Sequence, residues 1–72
     1  MVRFGKVMSI DKTTNTGIIR DQRGRDFFFY GYECENDQLP PLYSVVSFIK
    51  DEDFKSTNVA CLIKIKQLPR AI

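Results

Sequence analysis

Short runs of apolar residues, separated by clusters of turn formers, follow one another along this 72-residue chain. Val2 to Ile10 alternates imperfectly between apolar and polar positions, with Val7 the best inward candidate and Gly5 a predicted bend or bulge. Asp11-Lys12-Thr13-Thr14-Asn15-Thr16 is rich in turn formers, and Asn15 or Gly17 is suited to positive φ. A second strand is expected at Gly17-Ile18-Ile19-Arg20, followed by the turn signal Asp21-Gln22-Arg23-Gly24. The third runs from Asp26 to Tyr30. Its run Phe27-Phe28-Phe29-Tyr30 must put Phe27 and Phe29 on one face and Phe28 and Tyr30 on the other.

Residues 31–43 have no periodicity, and Pro40-Pro41 excludes a central strand or a helix interior there. That stretch reads as a long connection. A fourth strand is expected from Tyr43 to Lys50, with Val46 and Phe48 on one face, then a polar loop to Asn58. The fifth, Val59 to Lys66, alternates Val59, Cys61, Ile63 and Ile65 against Ala60, Leu62, Lys64 and Lys66, with Leu62 out of pattern. No stretch has a helical period. Three strands, a long connection and two more strands predict an all-β, five-stranded antiparallel Greek-key barrel of the OB type, occupying residues 1–66. Closing the barrel would remove the exposed edges of so small a sheet. Residues 67–72 leave through Pro69 and read as a tail or the start of a linker.

The 43% apolar content argues for one folded domain. No apolar run approaches the ~20 residues of a membrane helix, so no membrane contact is expected of this segment, and Met1-Val2-Arg3-Phe4 lacks a signal-peptide core, which points to the cytoplasm. The net charge of +2 is unevenly spread. Residues 1–30 carry six basic and three acidic side chains, residues 31–54 one basic and six acidic, and residues 55–72 four basic and none acidic. Basic ends around an acidic middle favour a polyanionic partner weakly, since such patterning is often only a solvated surface. With two cysteines and no histidine, a tetrahedral zinc site lacks ligands. Cys34 and Cys61 read as free thiols, Cys61 buried among apolar neighbours and Cys34 in a loop, with a disulfide as the alternative. Asp51-Glu52-Asp53 lacks the spacing and glycine of a calcium loop and reads as a turn. No cofactor is indicated. No histidine, recognisable carboxylate pair or phosphate-binding glycine loop is present, so an enzyme is not expected.

Several segments together resemble the bacterial cold-shock domain family. Its K-V-K-W-F opening corresponds to Lys6-Val7-Met8-Ser9-Ile10, its K-G-F-G-F-I motif to Thr14-Asn15-Thr16-Gly17-Ile18-Ile19, and its V-F-V-H-F motif to Phe27-Phe28-Phe29-Tyr30-Gly31. The preceding acid is Asp26. V-S-F recurs at Val46-Ser47-Phe48, and A-N-V is matched by Thr57-Asn58-Val59, so the resemblance covers roughly residues 4 to 66. It implies an OB barrel that stacks the bases of single-stranded RNA or DNA on aromatic residues of the first three strands.

The surface motif departs from that pattern more than the core does. The family's tryptophan position is Ser9 and its neighbouring phenylalanine is Ile10; the two phenylalanines of the first motif are Thr16 and Ile18, and the last of the second is Gly31. The basic residue of the first strand is replaced by Met8. Phe28 keeps its ring, and Tyr30 replaces a histidine. Stacking is worth ~1–3 kcal/mol per base, so losing four or five rings removes several kcal/mol, on the order of a thousandfold in affinity or more. The resemblance therefore implies weak binding with little sequence preference. Phe28 and Tyr30 would stack, and Lys6, Lys12, Arg20 and Arg25 would contact phosphate. Ile10 and Ile18 are expected beside Phe28 as an apolar patch. That patch would equally suit a protein partner or a following domain, which makes an interaction module of the same fold the competing expectation.

Overall fold

Two aspartates shape the first two reversals of the chain. Asp11 Oδ1 accepts the backbone N–H groups of Thr13 (2.9 Å) and Thr14 (3.3 Å), and Asn15 takes the left-handed conformation at φ 58°. Asp21 Oδ1 accepts the N–H groups of Arg23 and Arg25, both at 2.9 Å, while Gly24 supplies φ 79°. These turns join β1 (Arg3–Asp11), β2 (Thr16–Asp21) and β3 (Asp26–Tyr30) in the computed structural model, which describes residues 1–70. Two short 3-10 turns, Gly31–Glu33 and Glu35–Asp37, begin the long connection to β4 (Val45–Lys50), and β5 (Ala60–Gln67) follows.

All pairings are antiparallel, in the order β3-β2-β1-β4-β5. The crossing from β3 past β2 and β1 to β4 is what makes the arrangement a Greek key. The sheet curls far enough to bring the start of β5 back to β3. There Phe28 N–H donates to the Asn58 carbonyl at 2.9 Å, and single parallel bridges join Phe28 to Val59 and Cys34 to Ile63. The result is an all-β half-barrel of OB-like form, as the strand spacing predicted. Closure is partial, because β3 ends after five residues and turns into the first 3-10 turn instead of pairing along β5.

The concave face holds the core. Val7, Ile19, Phe27, Phe29, Val46, Phe48, Ala60 and Ile63 are almost completely buried. Phe27 and Phe48 pack ring to ring across it, with centroids 4.9 Å apart. Gly17 makes room for Phe29, whose ring would lie 2.6 Å from any Cβ at that position.

Five local expectations change. The slip in the β1–β2 ladder falls between Val7 and Ser9, not at Gly5. Gly5 instead allows close approach, since a Cβ there would meet Ile19 Cγ2 at 2.6 Å and the Arg20 carbonyl at 2.7 Å. Tyr43 does not begin β4. Its φ of 70° places it in the turn that Ser44 N–H closes onto the Pro41 carbonyl at 3.1 Å; Tyr43 N–H donates to the Val7 carbonyl at 2.8 Å, and regular pairing starts at Val45. In β5, Leu62 adopts φ 51° and the ladder slips between Ser47 and Ile49. Ala60 and Ile63 are both buried on either side of the slip with Cys61 half-buried between them, and Ile65, paired with inward Val46, is still 40% exposed. The cysteines exchange roles: Cys34 is buried under the first 3-10 turn and Cys61 is only half-buried. Gln67 belongs to β5, so the expected tail starts one residue later; its last residues, 71 and 72, lie outside the described ones. No helix among the described residues is long and apolar enough to cross a membrane.

Candidate nucleic-acid interface

Register builds the convex face of β1–β3 from three cross-strand rows. Lys6 pairs with Arg20 and Arg20 with Asp26; Ser9 with Ile18 and Ile18 with Phe28; Asp11 with Thr16 and Thr16 with Tyr30. Directly paired residues share a face, so Phe28, Tyr30 and Ile18 lie together on the outside while Phe27 and Phe29 fill the core. The split of the aromatic run follows the strand period.

The rings form a column. Phe28 and Tyr30 meet edge to face, with centroids 5.0 Å apart and planes at 87°. Beyond them Tyr30 stacks on Tyr32, at 5.3 Å and 17°. Phe28 and Tyr30 are half-buried, whereas Tyr32, in the Gly31–Glu33 turn, is 64% exposed and leaves ring surface open to solvent. Tyr32 has no counterpart among the sequence-based candidates, because it falls in the aperiodic connection. The signal that would have found it is the period itself, since residues 28, 30 and 32 continue one outward series. Gly31 has no room for a side chain, because Asn15 lies against it and accepts its N–H at 2.7 Å.

Ile10 does not join this surface. The bulge between Val7 and Ser9 inserts one extra residue and reverses the alternation beyond it, so Ser9 faces outward with Ile18 and Ile10 turns to pair with Gly17. Ile10 packs against the core and lines a groove of about 470 Å³ with Lys12, Leu39, Pro40, Pro41 and Leu42. The expected patch of Ile10, Ile18 and Phe28 is thus reduced to Ile18 and Phe28.

The four basic candidates also divide. Arg20 grips Asp26 through Nε (2.8 Å) and Nη2 (3.3 Å), both side chains 48% exposed. Arg25 Nε donates to Asp21 Oδ2 at 2.9 Å. These hydrogen bonds raise the Arg20 pKa. The Asp26 carboxyl is held below its ordinary 3.8 by the hydrogen bond from Arg20. Burial pushes Asp21 upward, but the backbone and side-chain donors of Arg25 and the Arg23 N–H outweigh it and hold Asp21 below 3.8. Both arginines are locally neutralised, and a phosphate would have to compete with a carboxylate for either. Lys6 and Lys12 are exposed and make no ion pair among the described residues.

Neither thiol is activated. Burial, then Glu33 and Asp37, push Cys34 up to about 11; burial, then Asp51, Glu33 and Asp53, raise Cys61. Among the described residues no three His, Cys, Asp or Glu side chains converge to hold a metal ion. The fold and this face together define an OB-like half-barrel with a column of three rings on its convex side. No protein-family model matches the chain, and no curated protein matches it.

Proposed function

We propose that this chain is a divergent cold-shock-like OB domain that binds single-stranded RNA or DNA weakly and with little sequence preference. The observation that carries the reading is the column Phe28–Tyr30–Tyr32 on the convex face of β3, which offers flat apolar surface to bases. Every base has a stacking face, so such a column is sequence-tolerant. Lys6 at one end of the face and Lys12 in the β1–β2 turn supply the charge available to phosphate, and Ile18 gives the bases an aliphatic floor. Cys34 and Cys61, both free thiols, suit a reducing, cytoplasmic setting.

A second reading, a protein- or domain-interaction module of the same fold, draws on Ile18 and Phe28 at the centre of the face and on the two neutralised arginines. Fluorescence polarisation of labelled oligo-dT and oligo-dA at two salt concentrations separates them. Nucleic-acid binding predicts saturable binding of both oligonucleotides that weakens as salt rises. No binding at low salt and high micromolar protein would leave the interaction module as the reading.

A further inference from the structure

A second surface of the half-barrel, the convex face of β4 and β5 with the first residues of β1, is also unpartnered. Phe4 pairs with Ser47 and Ser47 with Lys64, which aligns the outward positions of the three strands. Val2, Phe4, Ile49 and Leu62 line a groove of about 300 Å³ whose remaining charged walls are Lys64 and Lys66. Three of these apolar side chains are strongly exposed: Val2 by 57%, Phe4 by 49% and Leu62 by 60%.

Charge is ordered along this face. Register puts the β4–β5 loop, with Asp51 and Asp53, at the Cys61 end, because Ile49 pairs with Cys61 and Asp51 N–H donates to the Val59 carbonyl, and Glu33 Oε1 there accepts the Leu62 N–H at 3.3 Å. The same loop carries exposed Glu52, one exposed base, Lys55, and a 41% exposed Phe54, so acid predominates there. At the other end stand Lys64 and Lys66, and no acid occurs beyond Asp53 in the sequence. The face therefore runs from acidic through apolar to basic along β5. At ~3.3 Å per residue, Cys61 and Lys66 are roughly 16 Å apart, beyond the ~8 Å over which charges interact through physiological salt. The two ends do not neutralise each other within one molecule.

We propose that this face is a self-association surface that pairs two copies of the chain about a two-fold axis through the groove. A two-fold contact brings each residue of a patch against its complement in the same patch. Here it lays the acidic loop of one copy over Lys64 and Lys66 of the other, twice, and covers Phe4 and Leu62 between them. An acidic loop that already carries an apolar Phe54 next to its carboxylates matches a groove with an apolar floor and lysine walls. The groove has one exposed ring, Phe4, among aliphatic side chains, unlike the column of three rings on β3. A standard interface of about 800 Å² per partner would take roughly a sixth of this chain's 5189 Å² surface.

Sedimentation equilibrium of the 72-residue chain up to about 1 mM protein tests this. The mass should rise toward a dimer with concentration, and Leu62→Asp, at an exposed position, should weaken association at least tenfold without altering the far-UV spectrum. The decisive pair is K64E/K66E, which makes both ends acidic, and E52K/D53K, which makes both ends basic. Each alone should be monomeric, and their mixture should form a heterodimer of affinity comparable to the wild-type pair. A wild type that stays monomeric overturns the proposal, as does a mixture that stays monomeric. Unchanged association in all three variants overturns it too. A monomer whose Lys64 and Lys66 are instead needed to bind oligo-dT or anionic vesicles assigns the face to nucleic acid or lipid.

Discussion

The two faces of β1–β3 are written by the same strands but specified in different ways. On the concave side, neighbours fit to within a single atom. Gly17 has no space for a Cβ beneath Phe29, and Val7, Ile19 and Phe27 line up as one closed cross-strand row. On the convex side, Ser9, Ile18 and Phe28 form the corresponding row with room around them, Tyr32 is largely exposed, and Arg20 is tied up in a half-exposed pair with Asp26. Packing dictates the first set, because a change of one methylene in a close-packed interior is felt throughout it. Almost nothing in the fold requires the second set.

If that contrast is right, the largest effects follow changes to the concave side. Phe29→Ala should cost about 3–5 kcal/mol of stability, measured by urea unfolding, and Gly17→Ala should also be strongly destabilising. For a domain this small that is most of the available stability, and its nucleic-acid affinity should be lost only because the fold is lost. Phe28→Ala should behave in the opposite way, weakening oligo-dT binding by about 1–3 kcal/mol while leaving the urea midpoint close to wild type. A Phe28→Ala variant that unfolds as readily as Phe29→Ala would erase the distinction between the faces.

Tyr32 sharpens the comparison on the outer side. Tyr32→Ala should reduce affinity by about 1 kcal/mol, and Tyr32→Phe should restore it, since the stacking surface rather than the hydroxyl is used. Equal affinities for all three proteins in polarisation titrations would remove Tyr32 from the interface. Smaller still is the effect of freeing Arg20. Asp26→Asn removes the negative charge that neutralises the guanidinium, so the salt dependence of binding should steepen by about one counterion.

The same carboxylates predict a modest acid response. Asp21 and Asp26 both titrate below their ordinary 3.8 in the fold, so they bind fewer protons folded than unfolded. Their contribution to stability is then complete above pH 3.8 and is lost as pH falls through the lower, folded values. Thermal melts between pH 5 and pH 2 should show that loss, and Asp26→Asn should make it shallower. Because the Arg20–Asp26 pair is half-exposed, the loss should be small beside that of Phe29→Ala.

How much was legible follows the same division. The five strands, their order in the chain and the inward set Val7, Ile19, Phe27, Phe29, Val46, Phe48 and Ile63 could be read because a period of two and the turn chemistry of Asp11, Asn15, Asp21 and Gly24 are local properties. What could not be read depends on bulges. One extra residue at Met8 moved Ile10 from the outer face to the inner one, and the slip at the left-handed Leu62 left Cys61 half-exposed between buried Ala60 and Ile63. Nothing in a linear pattern marks where a ladder slips by one. Ion pairing was equally hidden. Arg20 meets Asp26 because β2 and β3 pair in that register, six residues apart in the chain, and Arg25 meets Asp21 across a turn of four. Only Tyr32 was within reach, by extending an alternation past the end of its strand.

The claim at the centre of this account is that single strands lie on the convex face of β1–β3. Titrating the isotopically labelled chain with unlabelled oligo-dT and following its amide and aromatic NMR signals tests it most directly. The account predicts shifts that grow to saturation at Ser9, Thr16, Ile18, Phe28, Tyr30 and Tyr32, with Leu62, Lys64 and the core ring of Phe29 little changed. Shifts confined to the β4–β5 face, or none at saturating oligonucleotide, would contradict it.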